Sequence, residues 1–120
     1  MNDKELTNKV VALGVGESAL ADAGEMLYRF DGGGSWQFDD TADEFVRDWR
    51  VAGALMEKCY DVHMFWDDVG FACVATSMPV GKHGEETFKR GSTDGYDRND
   101  APRAIIEACV EALAAVGDKP

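Results

Sequence analysis

The sequence predicts an α/β domain of the α+β kind, a small and mostly antiparallel sheet packed with three helices in the order α-β-β-α-β-β-α. Three observations lead there: apolar residues recur at helical spacing near both ends and in the middle of the chain, residues 60–66 alternate with period two, and glycine- and aspartate-rich turns separate short apolar runs. At 120 residues, with 45% hydrophobic and 29% charged, the chain holds enough apolar material for one core, so a single domain over 1–120 is expected.

The first helix starts at an Asn2 or Asp3 cap and runs to Leu13, with Leu6, Val10 and Leu13 on one face, and Gly14 and Gly16 end it. Residues 17–26 fit either another helical turn or an irregular connection. Met26–Phe30 reads as a strand, Asp31–Gly34 as a turn, and Ser35–Phe38 as the return strand of a hairpin. Those glycines lack a following Lys-Ser/Thr or a GxGxxG pattern, so they read as a turn rather than a phosphate cradle.

Thr41 and Glu44 form a capping box for the second helix, whose inward stripe is Phe45, Trp49, Ala52, Met56 and Cys59. Tyr60–Trp66 is a strand with Val62, Met64 and Trp66 on one side and Asp61, His63 and Phe65 on the other. Asp67–Gly70 turns the chain, and Phe71–Thr76 is the antiparallel partner that completes the centre of the sheet. From Pro79 to Asn99 the chain is a polar connection in which only Glu86–Arg90 looks strand-like. The third helix is capped by Asp100, tolerates Pro102 in its first turn, buries Ile105, Ile106, Cys109, Ala112, Leu113 and Val116, and stops at Gly117.

A net charge of -11 opposes binding to a phosphate backbone and suits a basic protein partner instead. No run approaches the roughly 18 apolar residues of a membrane span, and the opening Met1–Glu5 is polar rather than a signal peptide, so a cytoplasmic protein is expected. The three cysteines, Cys59, Cys73 and Cys109, lack CxxC spacing and lie in apolar segments, which reads as buried reduced thiols. There are two histidines, His63 and His83, and no GxSxG, HExxH or paired Cys/His signature. Asp67 and Asp68 read as turn residues rather than as metal ligands. A non-enzymatic protein without cofactor or metal is therefore expected.

The segment 82–103 holds five of the twelve basic residues, Lys82, Lys89, Arg90, Arg98 and Arg103, among an equal number of acids. On an otherwise acidic chain, this locally neutral window is a plausible seat for a small phosphorylated ligand. Arginine forks would grip oxygen pairs, His83 would assist, and Tyr96 or Trp36 would offer a ring to stack on.

With these elements placed, the chain resembles the phage ABA-sandwich family of small α/β proteins, and more loosely the phage NinX-like proteins. The resemblance lies in the opening Leu6–Gly14 segment, in Asp48-Trp49 followed by Leu55-Met56-Glu57-Lys58, and in Asn99–Cys109, which is close to an "APxAIxxA" helix. Asp48 stands where that family more often has Ala. The resemblance brings no catalytic residues and implies a phage or prophage accessory protein. Together with the cationic, aromatic loop it raises the expectation of counter-defence by sequestering a small nucleotide-type signal. The alternative is an acidic inhibitor that docks on a basic site of a host defence or nucleic-acid-binding protein. Trp36, Phe38 and Trp66 exceed what one small core easily holds, which points to a homo-oligomer.

Overall fold

The computed structural model describes residues 1–30, 41–68, 70–78 and 89–117. Helix α1 (Asp3–Ala12) is capped by Asn2, whose side chain accepts from the Glu5 amide at 2.8 Å, and it buries Leu6, Thr7 and Val10. Gly14 and Gly16 then take positive φ of 88° and 79°, which ends the helix and turns the chain. At Gly16 a side chain would also collide with the Phe45 ring, since an added Cβ would stand 2.5 Å from it.

Residues 17–26, ambiguous in sequence, contain a strand. β1 (Glu17–Leu20) pairs antiparallel with β2 (Met26–Arg29), with Glu17 opposite Arg29 and an ion pair of 2.8 Å closing the open end. The strand expected at Met26–Phe30 is thus present, but its partner precedes it in sequence; the return strand expected at Ser35–Phe38 lies outside the described residues. Only one residue of β1 is even half-buried, so backbone pairing holds it and its side chains carry little signal.

The single second helix is corrected to two. α2 (Ala42–Phe45) is capped by the Thr41 hydroxyl, and α3 (Trp49–Lys58) starts afresh behind Asp48, whose carboxylate accepts from the Arg50 amide at 2.8 Å. That break resets the helical phase. Phe45, Val46, Val51, Ala52 and Leu55 face inward, Met56 is half-buried, and Trp49, expected in the core, is 58% exposed.

β3 (Cys59–Trp66) and β4 (Phe71–Ser77) form the expected hairpin, tightened where the Asp67 carboxylate accepts from the Gly70 amide at 3.0 Å. The third strand is β5 (Arg90–Tyr96), giving the order β3-β4-β5 among the described residues with β4 central and β3 at one edge; of the strand-like segment expected at Glu86–Arg90, residues 86–88 lie outside the described residues. A 3-10 turn (Arg98–Asp100) leads into α4 (Ala101–Gly117), which therefore begins one residue after its expected cap. Val116 lies outside the residues whose side chains are described.

α4 is the centre of the fold. Its Ile105, Ile106, Ala108, Cys109 and Ala112 are fully buried, and it lies between the three-stranded sheet on one side and α1 with α3 on the other. The alternation of β4 sends Phe71, Cys73, Ala75 and Ser77 towards α4. By register, the opposite face of the sheet carries Asp61, His63, Phe65, Ala72, Val74, Thr76, Arg90 and Ser92. Among the described residues, no helix covers that face, and no helix is long and apolar enough to cross a membrane.

Candidate functional site: an indole-walled groove

The break at Asp48 and the length of β3 together create a concave apolar surface. Asp48 caps α3 so that Trp49, its first residue, projects into solvent. On β3, Met64 and Trp66 lie on the α4 side of the sheet, opposite Cys73 and Phe71, but they extend past the helices and stay 40% and 61% exposed. Trp66 stacks on Phe71 with ring centroids 6.4 Å apart and planes 7° from parallel. Arg98 from the 3-10 turn and Ala101 from the start of α4 complete a groove of about 410 Å³, lined by Trp49, Met64, Trp66, Phe71, Arg98 and Ala101.

Arg98 also borders a smaller recess of about 110 Å³ formed with Asp68, Gly70 and Asp97. The groove is thus apolar at its walls and carries one arginine at a rim where two carboxylates stand beside it. This arrangement favours an apolar or aromatic group with a cationic neighbour over a multiply charged anion.

The other residues of the expected phosphate seat fall in separate places. Arg103 and Tyr96 do come together, but as part of the framework. Arg103 donates to Asp3 at 2.8 Å, Glu107 at 2.7 Å, the Tyr96 hydroxyl at 2.6 Å and the Met1 carbonyl at 2.8 Å. Its side chain is 11% exposed. The Tyr96 hydroxyl donates in turn to Glu107. Asp3 and Asp100 both accept from Arg47, at 3.2 Å and 3.3 Å, so one network joins the N-terminus, the link between α2 and α3, β5 and α4.

Burial pulls the Asp3 carboxyl upward, but the guanidiniums of Arg103 and Arg47 outweigh it and hold it below the usual carboxylate range. Burial, with the Glu107 carboxylate beside it, pushes Tyr96 up to about 12.

Lys89 and Arg90 are exposed at the start of β5, where the Lys89 amide donates to the Ser77 hydroxyl at 2.9 Å and Arg90 lies opposite Thr76. Of the expected site residues, Arg98 alone lines the groove among those described. Trp36, Lys82 and His83 lie outside the described residues.

His63 and Asp61 form a pair on the uncovered sheet face, Nε2 to Oδ2 2.7 Å, with side chains 61% and 49% exposed. His63 also stacks on Phe65 with centroids 6.3 Å apart. The pair sits on the solvent-exposed face of β3. The three cysteines are free and buried as expected, and burial pushes the Cys73 thiol up to about 11. Among the described residues, no three His, Cys, Asp or Glu side chains converge as a metal site.

Sequence reasoning missed Trp49 and Met64 as surface groups because both sit at core-like positions in their periodic patterns. The available signal was Asp48, a capping residue type in the middle of a continuous helical stripe. No family model, curated protein or solved structure matches this chain.

Proposed function

We propose that this chain is a non-enzymatic binding protein whose recognition surface is the groove between Trp49 and Trp66, and that its occupant is an apolar or aromatic side chain presented by a basic protein. The carrying observation is the pair of exposed indoles, with Met64, at the mouth of an apolar groove. Tryptophan is among the side chains that dominate binding energy when an interface closes over it. The charge of -11 supplies long-range attraction for a basic partner. The resemblance to phage accessory proteins makes the natural partner a defence or nucleic-acid-binding protein in the cytoplasm of a host cell, which this chain would inhibit.

A second reading is favoured by one observation, the presence of Arg98 in the same groove. A planar base between the indoles with its phosphate on Arg98 would be a sequestered nucleotide-type signal. Fluorescence in a Trp36→Phe background separates the two, because Trp49 and Trp66 are then the only indoles. Titration with cyclic nucleotides and ADP-ribose leaves the emission unchanged under the first reading and quenches it under the second. Partners captured from host lysate at low salt are expected to be basic, to elute at moderate salt and to be lost with Trp66→Ala. Capture that survives both changes would sink the first reading.

A further inference from the structure

The three free thiols share one core at unequal depth. Cys73 in β4 and Cys109 in the middle of α4 are fully buried, whereas Cys59 is 6% exposed. Cys59 caps α3 and opens β3, an edge strand whose register slips between Cys59 and Asp61. The first residue of an edge strand opens at small cost, so Cys59 is the thiol that a small solute meets first.

The Cys109 thiol donates to the Cys59 sulfur where α4 packs on α3 and β3. Register keeps Cys73 out of this pair. Cys59 lies opposite Ser77, and Cys73 is four residues from Ser77 along β4, about 13 Å away. A disulfide needs its Cα atoms within about 7 Å.

We propose that Cys59 and Cys109 are an oxidisable pair that a hydroperoxide converts to a disulfide, locking the junction of α3 and β3 onto α4.

The hydrogen bond from Cys109 draws the Cys59 thiol below its ordinary range against the upward push of burial, and the same contact, with burial, pushes Cys109 up. Cys59 is therefore the nucleophile. Its thiolate attacks one oxygen of hydrogen peroxide, the O–O bond breaks, and the departing hydroxide takes up the proton that Cys59 released. One water and a sulfenic acid on Cys59 result. The Cys109 sulfur then attacks the Cys59 sulfur, the S–S bond forms, the S–O bond breaks, and hydroxide leaves with the Cys109 proton as a second water. The two thiols give up two electrons and the peroxide accepts them.

The bridge stands at the far end of these elements from the groove. Trp49 is the first residue of α3, Trp66 the last of β3 and Ala101 the first of α4. Cys59 is where α3 and β3 meet, and Cys109 is about 12 Å along α4 from Ala101. The inference is therefore independent of what the groove binds. Tying residue 59 to residue 109 removes freedom from the unfolded chain, so the oxidised protein is the more stable form.

The test treats the folded full chain with hydrogen peroxide, then denatures it, alkylates the remaining thiols and maps them by mass spectrometry. The expected product is a monomer that has lost two hydrogens, bridged between Cys59 and Cys109, with Cys73 alone alkylated. Its thermal midpoint is expected to rise by roughly 10 °C and to return on reduction. Cys73→Ala should still form the bridge, and Cys59→Ala should not. Alkylation of all three thiols after treatment overturns the inference, as does a bridge to Cys73 or between copies. So does oxidation that stops on Cys59 without a bridge, and so does a bridged chain that melts no higher than the reduced one.

Discussion

Gly91 of β5 lies directly against Ala108 of α4, so close that a Cβ on Gly91 would stand 2.1 Å from the Ala108 carbonyl oxygen and 2.7 Å from the Ala112 amide. The obstruction is backbone of the central helix, which cannot swing aside as a side chain would. Two residues further along, the Thr93 hydroxyl donates to the Ala104 carbonyl at 3.0 Å, so β5 is both pressed and bonded onto α4. Gly91→Ala should therefore destabilise the fold by about 3 kcal/mol, at the upper end of what overpacking costs. Urea denaturation measures this, and a loss under about 1 kcal/mol would show that the strand can shift away freely.

The same contact explains why β5 was not legible in the sequence. Arg-Gly-Ser-Thr-Asp-Gly-Tyr has little strand propensity and no clean alternation, so it reads as loop. Its strand state is set by α4, whose close approach requires a glycine. By contrast, α1, the β3–β4 hairpin and α4 could be read because each carries its own period, cap or turn. The groove was hidden for a related reason: a stripe that runs through Phe45, Trp49 and Ala52 looks continuous until Asp48 interrupts it.

That interruption can be tested directly. Asp48→Ala removes the carboxylate that accepts from the Arg50 amide at 2.8 Å, and loss of such a cap costs about 1 kcal/mol. Because Trp49 is the next residue, the substitution should also change its fluorescence polarisation. Read with Trp36 and Trp66 replaced by Phe so that Trp49 is the only indole, a stability loss with unchanged polarisation would mean that the groove wall does not depend on the cap.

The Arg103 network predicts a pH profile with two limbs. Asp3 has a folded pKa below its ordinary 3.8, so its contribution is present above that value and is lost as pH falls through the lower folded value. Tyr96 is raised from 10.0 to about 12, so its contribution is present below 10.0 and is lost as pH rises through that interval. Stability should decline at both ends. Asp3→Asn should flatten the acid limb and Tyr96→Phe the alkaline one. Arg103→Met leaves Asp3 short of one cation and Glu107 without its arginine in a largely buried site, which should cost about 3 kcal/mol at neutral pH. Thermal unfolding across the range checks all three variants.

Trp66 gives the sharpest separation between stability and recognition. With 61% of its surface exposed and Phe71 as its stacking neighbour, Trp66→Ala removes little buried area and should cost no more than about 1 kcal/mol of fold stability. At a binding surface the same truncation is expected to cost 2 kcal/mol or more, about a thirtyfold loss of affinity. Trp49→Ala should behave alike from the opposite wall, whereas Phe71→Ala, 5% exposed, should mainly destabilise the fold. A matched set of urea melts and partner-binding isotherms reads this division. If the exposed tryptophans fail to affect binding while Phe71 does, the groove is packing that the helices leave uncovered, and recognition lies elsewhere on the chain.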